Sequence, residues 1–303
     1  MANESNRSVE TLAVCLAVWL LARQYSGVWH DAKIYALQAM NARAPMLYER
    51  DLFFLGKLQA GYSLFPELLG QAMDVFGLGN AAMVLSFVSV LAFFGACASL
   101  LAALVPAPQR WAGLLVLATF PHLYGANQHF AFAEPFLTAR SWAEPFCLLG
   151  LAAVLRGQWW FAVPAFAVAA AFHPLMVLPC LGAMVVFLVI GERWFLVIPA
   201  LGLVLLVALW HWQVGPFSEL FTRVDSRWLE SLSSDPTVFL SEWNWSDWNV
   251  VVFDTVVLLG AARRLDGRSR RLAYSVLATM GAGLAATAIL AGDSLLTLAF
   301  DIV

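Results

Sequence analysis

Apolar residues run in long blocks along this chain, separated by short polar links. The first block is Thr11 to Ala22. Others cover approximately 80–104, 111–131, 138–155, 158–173, 175–190, 194–212, 246–262 and 272–292, and a partial tenth segment runs from Ser294 to Val303. A helix crossing a bilayer needs about 20 such residues. The pattern therefore predicts an all-α fold, a polytopic transmembrane helix bundle of about nine to ten spans forming a single membrane domain over 1–303. The residues before Thr11 carry Glu4 and Glu10 against Arg7, and no small-x-small site follows the block. That pattern predicts an uncleaved first span extending towards Trp29 rather than a cleaved signal peptide. The stop at Phe300-Asp301-Ile302-Val303, without a basic or polar tail, reads as truncation of a longer protein.

Two polar interruptions are long, 24–79 and 213–245. Loops of this length are usually functional or disordered. The first has the composition of an ordered segment. Asp31 to Arg43 places Ile34, Leu37 and Met40 along one side, the pattern of an interfacial helix lying on the membrane. Ser63 to Phe76 is a second amphipathic piece, and Gly77-Leu78-Gly79-Asn80 is expected to turn the chain into the next span.

Composition sharpens this picture. The 303 residues are 61% hydrophobic and 12% charged, and the mean hydropathy is +0.76. Soluble domains are nearer 45–50% apolar and about 25% charged. The net charge of −3 carries no basic nucleic-acid surface. Cys15, Cys97, Cys147 and Cys180 all fall in apolar blocks, as inert thiols would. With the N-terminus inside, Arg7, Arg110, Arg156, Arg193 and the cluster Arg263, Arg264, Arg268, Arg270 and Arg271 lie on the inner side. This satisfies the positive-inside rule. An uncleaved first span and reduced cysteines suit a bacterial inner membrane with a cytoplasmic N-terminus. The two long loops are then periplasmic.

Under that topology, polar groups gather on the outer side. They are His30, Asp31, Glu49, Arg50 and Asp51, then His122, Asn127, His129, Glu134, Thr138, Arg140 and Glu144, then His173 and Asp293. Charge near a bilayer is costly and is usually kept for function. Asp31 could accept a proton from a hydroxyl, or could simply cap the helix that follows it. Arg140 and Glu144 are four apart and share a helix face. They form either a structural pair, or a phosphate-facing arginine oriented by its glutamate. His173 is either a satisfied helix-end histidine or a ligand. Asp254 lies inside a span, where it could serve function or pair with a neighbouring helix. No His or carboxylate cluster has metal spacing, so no cofactor is expected, a divalent cation being the weak exception. Phosphate-binding loops, dinucleotide turns and nucleophile elbows are absent from the sequence.

The layout resembles the GT-C superfamily of integral membrane glycosyltransferases over roughly 9–293. Trp29-His30-Asp31-Ala32-Lys33-Ile34-Tyr35 sits where those enzymes carry an acidic motif after the first span, and Glu134 matches their second acidic position. The chain departs from them in its shortness, and the soluble C-terminal domain that some members have is not expected within 1–303. The resemblance implies transfer, with inversion, of a sugar from a polyprenyl-phosphate donor to a hydroxyl on a glycan, lipid or protein acceptor at the outer face. Asp31 and Glu134 would be catalytic. His30, Arg140, Glu144 and His173 would bind substrate, Arg140 with His173 stabilising the departing phosphate. The Trp-rich second loop would help to shape an acceptor groove. A lipid or sugar transporter of flippase type is the principal alternative, although its inverted repeat is not visible. A non-catalytic assembly subunit is the third class.

Overall fold

The computed structural model describes residues 2–54, 63–120, 123–214, 217–218, 220–236, 238–291 and 293. His122 and the partial segment 294–303 lie outside the described residues. The chain is all-α. Twelve helices are described: α1 (Ala2–Ala22), α2 (Ala32–Arg43), α3 (Pro45–Tyr48), α4 (Phe65–Leu104), α5 (Ala107–Thr119), α6 (Ala139–Arg156), α7 (Trp159–Phe172), α8 (Pro174–Gly191), α9 (Val197–His211), α10 (Ser226–Leu232), α11 (Trp245–Arg264) and α12 (Gly267–Leu290). Among the described residues, four helical stretches are long and apolar enough to cross a membrane: Phe65–Leu104, Pro174–Gly191, Arg193–His211 and Gly267–Leu290. Leu201, Leu203, Val204 and Leu205 each stand about 60% or more exposed on α9. An apolar surface of that kind belongs in lipid.

Two compact units form. Unit 1 comprises Met1–Leu123 and Ala131–Val177, and unit 2 comprises Tyr124–Phe130 and Leu178–Val303.

Unit 1 is held by two apolar clusters. In one, Cys15 and Trp19 of α1 meet Phe93, Phe94 and Cys97 of α4 and Leu114 and Ala118 of α5. Trp19 sets its ring edge-on to Phe94 at 5.5 Å. In the other, Tyr35 and Ala39 of α2 pack on Phe65, Leu69, Ala81 and Ala82 of α4, with Leu137 and Ala139. The buried side of α2 is Ala32, Tyr35, Ala36, Gln38 and Ala39. Ile34, Leu37 and Met40 stay half-buried or exposed.

The chain breaks within α4 at Gly77, where φ is 73° and ψ 159°. Only glycine adopts this conformation readily. The preceding leg is pinned to the end of α7: Leu64 N–H donates to the Ala171 carbonyl at 2.8 Å and Ser63 Oγ to that of Phe172 at 2.6 Å. Gly150 lets α6 approach α7 closely, since a Cβ there would fall 2.6 Å from the Phe166 ring.

The apolar block 111–131 is not one helix. α5 stops at Thr119, and Phe120 is extended at φ −73°, ψ 154°. The residue before a proline is disfavoured in the α region, and Pro121 follows. Likewise α1 ends at Ala22, and Gly27 (φ 77°) turns the link towards Trp29.

In unit 2, α11 and α12 form a helical hairpin. Arg271 stacks on the Phe187 ring of α8 at 3.7 Å, a cation–π contact. A Cβ at Gly191 would collide with the Arg271 guanidinium. Asp293 Oδ2 accepts the Phe221 N–H at 2.6 Å.

Candidate functional site

The site grows from the N-terminal ends of α2 and α6. Thr138 caps α6: its hydroxyl accepts the Ser141 N–H at 3.2 Å, and Ser141 Oγ accepts the Thr138 N–H at 3.4 Å. This capping box fixes where α6 begins and places Arg140 in its first turn. Ahead of it, Ala133 takes a left-handed backbone (φ 45°). Glu144 Oε2 accepts the Ala133 N–H at 2.9 Å. That contact from the second turn of α6 holds the bend that aims Glu134 inward.

Arg140 gathers the acids. Its Nη2 lies 2.6 Å from Asp31 Oδ2 and 2.7 Å from Glu134 Oε1, and its Nε donates to the same Glu134 oxygen at 3.2 Å. The other Glu134 oxygen accepts a hydrogen bond from the Thr138 hydroxyl. Glu134 and Arg140 are each 2% exposed. The cluster therefore joins residues 109 positions apart in the chain.

Asp31 stands at the N-cap position of α2, yet its carboxylate makes no capping bond. One oxygen goes to Arg140. The other lies 2.8 Å from Nδ1 of His30, whose side chain is 39% exposed. His30 is itself in a left-handed conformation (φ 49°), an uncommon state for a non-glycine residue. The capping role open to Asp31 from sequence is not performed by its side chain, which contacts Arg140 and His30 instead.

Burial dominates the electrostatics. It pushes the Glu134 carboxyl above the usual glutamate range, against the pull of Arg140 and the Thr138 hydroxyl. Burial likewise raises the Tyr35 phenol, which lies within electrostatic reach of Arg140, Glu134 and Asp31. His173 falls in the link between α7 and α8. Burial, and then the Arg140 charge, push its imidazole down to about 3. The imidazole is therefore neutral at pH 7. Nδ1 accepts the Met176 N–H at 3.3 Å, which places the ring proton on Nε2.

Asp31, Glu134, Arg140 and Thr138 are thus brought into contact, with His30 against Asp31 and His173 within reach of the Arg140 charge. The Arg140 guanidinium contacts the two carboxylates through Nε and Nη2. Among the described residues no group of three or more His, Cys, Asp or Glu is placed to hold a metal ion. Glu49 and Arg50 are on the exposed surface, and Asn127, His129 and Asp293 belong to unit 2.

Two buried polar groups, Tyr35 beside the cluster and Asp247 in unit 2, escape a reading of sequence alone. Tyr35 sits four residues after Asp31, on the same face of α2, and that spacing is its signal. Asp247, 4% exposed, closes a capping box with Asn244 and accepts the Asn127 N–H at 2.8 Å. The Asn-x-x-Asp spacing before an apolar run announces the first contact only.

A cleft opens on the cluster. Trp19, Leu20, Arg23, Met83, Phe87 and Val90 line a cavity of about 110 Å³ that reaches Glu134. Leu20, Met83 and Phe87 are exposed at its rim.

No protein-family model, curated protein or solved structure matches the chain.

Proposed function

We propose that this protein is an inverting membrane glycosyltransferase that uses a lipid-phosphate-linked sugar. The observation that carries the reading is the buried Asp31–Arg140–Glu134 cluster. Two acids from separate elements are fixed on one guanidinium, with a largely apolar cleft that reaches one of them, Glu134. Asp31 is the proton acceptor. Its second oxygen points to His30 and away from Arg140. The acceptor hydroxyl gives its proton to Asp31 as its oxygen bonds to the anomeric carbon. The bond from that carbon to the phosphate oxygen breaks, and its electron pair leaves on the lipid phosphate. His30, half-exposed, passes the proton to water. Arg140 is a positioning residue that fixes both carboxylates, and Glu134 holds Arg140 in turn. The apolar cleft suits the chain of a lipid-linked donor entering from the bilayer.

Nine to ten spans carry the cluster to the outer face of a bacterial inner membrane, with the N-terminus cytoplasmic.

The test is sugar transfer in nanodiscs, using a panel of polyprenyl-phosphate sugars and hydroxyl acceptors. Wild type should release polyprenyl phosphate. Asp31→Asn should lose about 100-fold or more of that turnover, the usual worth of a general base, while melting as wild type does. Equal turnover by a folded Asp31→Asn protein would remove Asp31 from the mechanism. An inert wild type would remove the reaction.

A further inference from the structure

The end of unit 2 where α11 gives way to α12 is strongly basic. Arg193, Arg263, Arg264, Arg268, Arg270 and Arg271 are set there against two acids, Glu192 and Asp266. The chain leaving α8 belongs to the same surface: Gly191 lies against the Arg271 guanidinium, and Glu192 is within electrostatic reach of it. We infer that this surface binds the phosphodiester headgroup of an anionic phospholipid. No residue of the carboxylate cluster takes part, so the inference stands apart from the transfer reaction.

The two acids are already engaged. Asp266 pairs with Arg270 at 3.0 Å, and Arg270 Nε donates to the Leu265 carbonyl at 2.8 Å. That arginine ties down the link between the two helices. Glu192 Oε2 accepts the Trp194 indole N–H at 2.6 Å. Arg263 and Arg264 stand exposed at the end of α11. The charges at the start of α12 run against the helix. Its first turn has no acid, and Arg268, Arg270 and Arg271 gather at the end where the helix dipole favours anions. An excess of cations placed this way calls for an anion from outside the chain.

The surroundings say which anion. Arg271 is held flat on the Phe187 ring, and its Nε has no hydrogen-bond partner among the described residues. A guanidinium with a fixed plane suits the paired oxygens of a phosphate. Val256, Leu259 and Arg263 follow one another at spacings of three and four, so they share a face of α11. Val256 and Leu259 are exposed, as are Ile190 on α8 and Tyr274 on α12. Both α8 and α12 are long and apolar enough to cross a membrane. A free phosphate would use the arginines and leave this apolar face bare. A phospholipid covers both, its headgroup on the arginines and its acyl chains along the helices. Trp194, 62% exposed beside them, is the side chain expected at headgroup level. Basic pockets between membrane helices recognise anionic headgroups in this way.

The full chain in a neutral detergent is offered phosphatidylglycerol and phosphatidylcholine in equal amounts, and retained lipid is counted by native mass spectrometry. Wild type should retain phosphatidylglycerol selectively. Arg263→Gln combined with Arg264→Gln should reduce that preference by about tenfold or more, since each arginine beside an anionic lipid is worth roughly a factor of five. Both side chains are exposed, so the double variant should melt as wild type does. Gly191→Ala, which displaces the Arg271 guanidinium, should reduce the preference as well. Arg227→Gln, at an exposed arginine of α10, should bind as wild type does. Equal retention of the two lipids by wild type would overturn the inference and leave the arginines to an acidic protein segment. An unchanged preference in the folded double variant would overturn it too. So would displacement of phosphatidylglycerol by an equal concentration of inorganic phosphate, the mark of a free-anion site. Sugar transfer is not read in this experiment, so its failure and that of the transferase reading are separately visible.

Discussion

Asp31 and Arg140 look like partners of equal weight, but their removal has unequal consequences. With both acids ionised, two carboxylates share one guanidinium. Asp31→Asn leaves Arg140 paired with Glu134 through two hydrogen bonds. No helix cap is lost either, because Asp31 makes none. The variant should melt at or above the wild-type temperature while losing transfer, as expected where a fold carries a group for its chemistry. Arg140→Met strands two buried carboxylates. Breaking a buried ion pair from one side costs about 3–5 kcal/mol, and thermal melts should show a fall of that order. The burial of His173 gives a pH signature. Its folded value of about 3 lies below the ordinary 6.5, so the unfolded chain binds the extra proton in this window. The stability it contributes is complete above about 6.5 and declines as pH falls towards 3. The Glu134 carboxyl, raised above its ordinary 4.5, works in the opposite sense. Acid unfolding curves should therefore flatten for His173→Gln and steepen for Glu134→Gln. Asp31 and Arg140 could be singled out from sequence as charges beside apolar blocks. Their pairing across 109 positions could not, because helical spacing speaks only of neighbours three and four apart.

At the scale of elements, the chain announces its turns better than its packing faces. Gly77-Leu78-Gly79-Asn80 marks a break that the structure places at Gly77. Gly77→Ala meets no neighbour, so its penalty is that of the backbone alone, about 1–3 kcal/mol. Gly79 also has open space around it but lies in helix. Gly79→Ala should gain about 0.5–1 kcal/mol from helix propensity. Melts of the two variants should move in opposite directions, and equal shifts would show that the break is not held by the Gly77 conformation. The stripe Ile34, Leu37 and Met40 on α2 is visible in sequence because those side chains are large. The face that packs is mostly alanine, whose burial produces little hydrophobic contrast. The block 111–131 misleads for a related reason. Hydropathy does not see that a proline and three left-handed residues divide it.

Across the molecule, the helices differ in how much of their sequence the fold uses. α6 buries most of its length, including Arg140, Glu144 and the Gly150 contact. α9 buries none of its fifteen residues. Trp210 meets the Phe221 ring at 5.7 Å, but most α9 side chains are exposed, and a medium reads only their average character. Between Ala200 and Leu209 the order of α9 is therefore silent: those ten residues, shuffled among themselves, should yield a protein with unchanged expression and melting temperature. An equivalent shuffle of α6 should yield none. A protein that loses expression when α9 alone is shuffled would show that this helix has a partner after all. Its tolerance makes α9 a natural place to carry a spectroscopic label, while the first two turns of α6 admit no such rewriting.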